Sequence, residues 1–136
     1  MTSVLVDSNV LIDVITDDPA WGAWSSEALQ RIADESVLVI NALIYAELSV
    51  GFDTIEALEE ALPQDVFRRE PLPFEAGFLT GKAFGHYRAA GGARRSPLPD
   101  FYIGAHAAVA GHGLLTRDAG RYRTYFPSLR LIAPDA

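Results

Sequence analysis

The sequence predicts a single α/β domain in which a central, mainly parallel twisted sheet carries helices on both faces. Three observations predict it. Short continuous apolar runs at residues 3–6, 37–40 and 114–116 have the length and branched content of fully buried parallel strands. Stretches with apolar residues at helical spacing alternate with those runs. The length of 136 residues suits one compact domain, for which roughly 100–150 is typical.

The elements follow in order. Ser3-Val4-Leu5-Val6 stops at Asp7 as the first strand, and Ser8-Asn9 offers a cap to a short helix ending near Asp17-Asp18-Pro19. Trp21, Trp24, Ala28, Leu29 and Ile32 recur at helical spacing over residues 20–34. Residues 37–40 form the second strand. Asn41 caps a helix to about Val50, with Gly51 at its end, and residues 55–62 continue helical until Pro63. A third strand falls within 66–72. A long helix over 74–90 is closed by Gly91-Gly92, and residues 94–99 make a Pro-rich loop. Asp100 opens a helix to Ala110. A strand at 114–116, a loop with a helical turn at 117–126 and a last strand at 129–132 complete the chain. No repeat or low-complexity segment interrupts it.

Composition narrows the chemistry. There is no cysteine, which excludes a disulfide framework, a thiolate zinc site and a Cys nucleophile. The N-terminus has no basic region and carries Asp7, so no signal peptide is expected. The most apolar stretches fall short of the ~20 residues of a membrane span, which predicts a soluble, cytoplasmic protein. Eighteen acidic against 11 basic residues give a net charge of −7. That balance opposes sequence-independent coating of nucleic acid. It leaves room for a nuclease whose positive charge is supplied by cations held on carboxylates.

Sites in parallel α/β folds lie at the carboxyl ends of the strands. Four acids fall near such positions: Asp7 after the first strand, Glu47 in the helix after the second, Asp100 at a helix start, and Asp118 after the fourth strand. Their convergence would be costly without a counter-charge, and a hard divalent cation supplies one. All-oxygen ligands without paired imidazoles favour Mg²⁺ or Mn²⁺ over zinc. Each acid also has a plainer explanation: Asp7 as a helix cap, Asp100 as a partner of the helix dipole, Asp118 as a turn residue. Glu47 resists one, because it stands in the otherwise apolar run Ala42-Leu43-Ile44-Tyr45-Ala46-Glu47-Leu48.

DSNVLID at 7–13, NALIYAEL at 41–48, LPDFYIGAHA at 98–107 and LLTRDAGRYRTYFP at 114–127 resemble, in order and spacing, the PIN domain, and more narrowly the VapC-type toxin ribonucleases of bacterial toxin–antitoxin pairs. The resemblance spans essentially the whole chain, making residues 1–136 one PIN domain. It implies that Asp7, Glu47, Asp100 and Asp118 form the family's acidic quartet around Mg²⁺ or Mn²⁺, with Asp7 and Asp100 as ligands and Asn9 and Thr116 in support. It implies a metal-dependent endoribonuclease cutting RNA phosphodiesters, a homodimer, and a cognate VapB-type antitoxin that blocks the site.

Arg94 and Arg95, before Asp100, and Arg117, beside Asp118, are candidate RNA contacts, with a solvated loop pair and an ion pair as the plainer alternatives. Tyr122, Tyr125 and Phe126 could stack bases but have the spacing of core aromatics. Trp21 and Trp24 share a helical face that reads as core. His86, His106 and His112 lack ligand spacing and read as structural. Gly77-Phe78-Leu79-Thr80-Gly81-Lys82-Ala83 is one residue short of a P-loop and ends on Ala83, which offers no ligand. Two other functions remain open. A haloacid-dehalogenase-like phosphatase would use Asp7 as nucleophile, but needs an acid two residues on, where Asn9 stands. A non-catalytic RNA- or protein-binding module would use the acids to hold a structural cation.

Overall fold

The computed structural model describes residues 2–95 and 98–134, so Ser96 and Pro97 of the predicted Pro-rich loop lie outside the described residues. Five strands, β1 (Thr2–Val6), β2 (Ser36–Ile40), β3 (Phe67–Arg69), β4 (Gly113–Leu115) and β5 (Leu131–Ile132), form one sheet in the order β3-β2-β1-β4-β5. Every neighbouring pair is parallel, with Leu5 opposite both Val39 and Leu114. The sheet predicted to be mainly parallel is wholly so.

Seven helices connect the strands: α1 (Ser8–Thr16), α2 (Gly22–Glu35), α3 (Ala42–Ser49), α4 (Ile55–Ala61), α5 (Phe74–Ala89), α6 (Pro99–Ala110) and α7 (Gly120–Tyr125). The chain moves outward from β1 to β2 to β3, then returns past β1 to β4 and on to β5. Right-handed crossovers therefore put α1–α4 on one face and α5–α7 on the other. The packing agrees, since α1 contacts α2 and α3, α3 contacts α4, and α5, α6 and α7 contact one another. Reversal of direction between β1 and β4 makes that junction the topological switch point, where such sheets open a crevice at their carboxyl ends.

The central strands are buried on both faces, with Val4, Leu5, Val6, Val39, Leu114 and Leu115 wholly inaccessible. That explains why their sequences are continuous apolar runs rather than alternating ones. Helix α6 is buried over most of its length, from Phe101 to Ala107 apart from half-buried Tyr102. Small residues permit this. A Cβ on Gly104 would lie 2.6 Å from the Phe126 ring, so α7 could not approach α6 as it does.

Local structure departs from the expected elements in several places. The cap of α1 is Asp7 itself, whose carboxylate accepts from the Ser8 backbone N–H, so the helix begins earlier than the Ser8-Asn9 reading. Asn41 caps α3 as expected, accepting from Ile44 N–H. β3 and β5 are shorter than expected, and the helical turn expected within 117–126 is the six-residue α7. Trp21 is the exposed N-cap of α2, with the Arg117 guanidinium over its ring, while Trp24 packs against the core. The P-loop-like segment is an uninterrupted part of α5.

Two of the three histidines meet at one carboxylate, which their spacing does not announce. His106 on α6 and His112 before β4 both aim Nε2 at Glu70 Oε1, at 3.1 and 2.8 Å. Asn41 Oδ1 is taken by the cap, so its Nδ2 donates to His106 Nδ1 and the ring proton must sit on Nε2, donated to Glu70. Ser3 Oγ holds His112 Nδ1. A chain of side chains, Ser3, His112, Glu70, His106 and Asn41, thus ties β1, the entry to β4, the end of β3, α6 and the start of α3. Burial opposes ionisation of Glu70, but hydrogen bonds from His112 and His106 outweigh it and pull its carboxyl down to about 2. Burial holds His106 below its ordinary value, hence neutral.

A carboxyl depressed in the folded state stabilises the protein above its unfolded value, near 4.5, and that contribution disappears as pH falls through the interval down to about 2. Glu70→Gln should therefore cost about 2 kcal/mol at pH 7, and the gap from the wild type should close as pH falls from about 4.5 toward 2. Urea unfolding followed across that pH range checks both the size and the sign.

Candidate active site

The sequence-predicted site begins at the switch point. Asp7 follows β1, and its backbone N–H donates to Leu115 O, carrying the β1–β4 pairing into the crevice. Its carboxylate is buried, 4% exposed, and surrounded by donors. Oδ1 accepts from Ser8 N–H at 2.8 Å. Oδ2 accepts from Tyr122 Oη at 2.9 Å, Thr116 Oγ1 at 3.0 Å and, more loosely, Asn9 Nδ2 at 3.4 Å. Thr116 also accepts from Asn9 Nδ2 and from the Asp118 backbone N–H. Asn9 Oδ1 in turn accepts from Arg117 N–H. Asn9 and Thr116 therefore both hold Asp7 directly, and the loop after β4 is pinned to α1 through them. Asn9 acts as an amide donor, and no second acid stands where a phosphatase nucleophile would need one.

The other three acids gather around Asp7. Glu47 on α3 is half-buried and accepts from Ser8 Oγ at 2.9 Å. Asp100, in the first turn of α6, accepts from Arg121 Nη1 at 3.3 Å. Asp118 is exposed, just beyond Thr116. Asp100 links them electrostatically, acting on Asp7 and on Glu47 and itself acted on by Asp118. Burial raises Asp7 to about 6, with Asp100 adding to the rise and the Tyr122, Thr116 and Ser8 hydrogen bonds opposing it. Burial likewise raises Asp100, with Asp118 adding and Arg121 opposing, and raises Glu47, with Ser8 opposing and Asp100 adding. Three carboxylates from separate segments, Asp7, Glu47 and Asp100, are thus held above their ordinary range at the switch point, with Asp118 beside Asp100.

Sequence reasoning missed two neighbours. Tyr122, read as core, is indeed buried at 1%, yet its hydroxyl stands between Asp7 and Asp100 and lowers both. Burial, reinforced by the charges of Asp7, Asp100 and Glu47, keeps it a phenol far above the ordinary tyrosine range. Arg121 brings the cationic group that touches Asp100. Both lie in the 114–127 motif, at spacings from Asp118 that one turn of α7 converts into proximity. The candidate arginines are placed differently. Arg117 Nε is 2.8 Å from buried Asp13, which also accepts from Ser25, so its guanidinium is committed to holding α1 against α2. Arg94 and Arg95 are exposed, and the Arg94 carbonyl accepts from Arg88.

The donor set at the switch point fits a hard cation: carboxylate oxygens, three of the carboxyls raised by burial, with hydroxyl and amide groups supporting them. Among the described residues, the group whose ligand atoms all lie within 4.8 Å of one another is instead Glu70, His106 and His112. It has the residue types of a metal site. The Asn41 hydrogen bond, however, keeps the His106 proton on Nε2, the atom that would have to ligate. The wider quartet suits an ion that keeps part of its water shell, as Mg²⁺ does.

A wholly parallel α/β sheet with acids gathered at its switch point defines a class of α/β folds. Within it, the PIN domain family matches residues 4–127, and the chain belongs to that family. No curated protein sequence matches it. Solved structures with a similar fold include VapBC2 from Rickettsia felis bound to a DNA fragment from their promoter, at 18% identity and a TM-score of 0.74 over 97% of this chain and 98% of that one. VapBC-1 from nontypeable Haemophilus influenzae is 17% identical, with a TM-score of 0.74 over 97% and 98%. A toxin–antitoxin complex from Klebsiella pneumoniae is 18% identical, with a TM-score of 0.70 over 95% of each chain. At these identities the likeness establishes the fold.

Tyr122→Phe removes the strongest donor to Asp7 while keeping the ring. Asp7 should then titrate above its present value of about 6, because the lost hydrogen bond favours the charged form, and stability should fall by about 1–2 kcal/mol. Carboxyl-carbon NMR titration and denaturant unfolding read the two effects.

Proposed function

We propose that this protein is a divalent-cation-dependent endoribonuclease, the toxin of a cytoplasmic toxin–antitoxin pair, working as a homodimer and held in check by a cognate VapB-type antitoxin. The observation that carries the reading is the convergence of Asp7, Glu47 and Asp100, all raised by burial and coupled through Asp100, with Asp118 acting on Asp100. Membership in the PIN domain family supports nuclease chemistry, and the VapBC and toxin–antitoxin neighbours support the partner.

Asp7 and Asp100 are the residues that would hold Mg²⁺ or Mn²⁺, which when bound supplies Lewis acidity at the phosphate and offsets developing charge. The chain's own groups do the rest. Ser8, Thr116, Asn9 and Tyr122 occupy most of the acceptor positions of Asp7 and fix its plane, leaving a free lone pair on Oδ1. Glu47, half-buried, raised and oriented by Ser8, would accept a proton from the attacking water. Asp118 completes the negative rim beside Asp100. Arg94 and Arg95, exposed ahead of α6, can meet the phosphates of an RNA strand without reading its sequence. Single-stranded or loop RNA fits best, since its bases and backbone can be splayed into the crevice.

Purified, antitoxin-free protein incubated with total RNA should yield discrete fragments with Mg²⁺ or Mn²⁺ and none with EDTA. Asp7→Asn, purified identically, should lose at least ~100-fold of the rate. Equal cleavage by the variant, or none by folded wild type that still binds the antitoxin, would turn the reading toward a non-catalytic binding module.

Cation binding should also depend on pH. Asp7 keeps its proton up to about 6 in the cation-free fold, so the ion competes with that proton below this value. Saturating Mn²⁺ should raise Tm by roughly 5–10 °C at pH 7.5, with the gain shrinking as pH falls through 6. Thermal scans with and without Mn²⁺ at pH 5 and 7.5 decide it, and equal gains at both would remove Asp7 from the ligand set.

A further inference from the structure

The positive charge nearest the acids is Arg121, and its setting differs from that of an ordinary ion pair. It meets Asp100 through one nitrogen at 3.3 Å, longer than the roughly 2.7–2.9 Å of a strong charge-assisted bond. That is its one hydrogen bond among the described residues, which leaves the rest of the guanidinium fork available. The group is also held without Asp100, because it lies over the Phe101 ring at 5.6 Å and the Tyr87 ring at 5.9 Å. Those rings pack edge to face at 5.5 Å, with Phe101 fully buried, so the platform is rigid. Both partners of the pair remain about a third exposed, open to the crevice. Arg117, by contrast, is spent on buried Asp13.

We propose that Arg121 is the phosphate-binding residue of this site, a resident counter-ion that yields Asp100 to the divalent cation and turns its free fork to a non-bridging oxygen of the substrate phosphodiester. The proposal rests on the nuclease reading above and assigns it a substrate contact. The aromatic platform keeps the guanidinium at the rim of the crevice after Asp100 is released. A planar fork matches two phosphate oxygens, which a lysine at the same place would not. In the free protein the same group offsets part of the repulsion among the acids, and so it competes with the cation.

This competition gives a test with opposite signs. Arg121→Ala and Arg121→Lys are compared with wild type for Mn²⁺ affinity by calorimetry without RNA. Affinity for a fluorescein-labelled, phosphorothioate single-stranded RNA is read by anisotropy with Mn²⁺ present. Arg121→Ala should bind Mn²⁺ roughly 3- to 10-fold more tightly, having lost a competing charge. It should bind the RNA about 10-fold more weakly, with a shallower salt dependence. Arg121→Lys should bind Mn²⁺ as wild type does and the RNA with intermediate strength. RNA affinity unchanged in Arg121→Ala, or Mn²⁺ affinity weakened together with a lowered Tm in both variants, would overturn the proposal and leave Arg121 a structural counter-ion. Cleavage of RNA by the wild type is scored separately. Its failure would sink the nuclease reading, while the two binding constants still judge Arg121.

Discussion

The arrangement of this molecule turns on a buried carboxylate. Asp7 ends a strand that is inaccessible on both faces, at the point where the sheet reverses its winding. An ionised group there must be hydrogen-bonded or must give up its charge. The surroundings are organised accordingly: the first turn of α1, the side chains of Asn9 and Thr116, and Tyr122 from α7 all donate to it. Elements that are far apart in sequence are thereby drawn to one carboxyl group. Even so, its ionisation is only partly compensated, and it titrates near 6 rather than near 4. The fold holds this strained group at the β1–β4 junction, where its raised carboxyl lowers stability at neutral pH.

Much of this was legible in the chain. Continuous apolar runs gave away parallel strands because both faces of β1, β2 and β4 are covered, and Asn41 announced the start of α3 by the chemistry of capping. The acids could be found because strand ends are where a parallel sheet opens. Glu47 stood out for a different reason, as a charge in an apolar helix, and its half-buried position with Ser8 as donor explains how the helix tolerates it.

What stayed hidden depends on contacts that sequence spacing does not encode. Tyr122 is as apolar in pattern as any core aromatic, and only the position of its hydroxyl gives it a second role. Arg121 lay one residue away, in a segment whose helical turn was expected but whose packing against α6 was not, and that packing makes it a neighbour of Asp100. Glu70, His106 and His112 come from a strand end, a helix and a loop, so no ligand spacing could join them. Arg117 does form the ion pair that was its plainer reading, but its buried partner, Asp13, lies 104 positions away rather than beside it.

The chain from Ser3 to Asn41 also limits how the protein can change over generations. Each member's proton is assigned by its neighbour, so a replacement at Glu70 leaves two buried imidazole N–H groups without an acceptor, a heavier penalty than losing the whole cluster to well-packed apolar residues. A single replacement there that offers no acceptor is thus costly, while a concerted exchange of the glutamate and both histidines for apolar residues costs less. Glu70 and the two histidines are heritable as a block, and through Asn41 that block carries the start of the helix on which Glu47 stands.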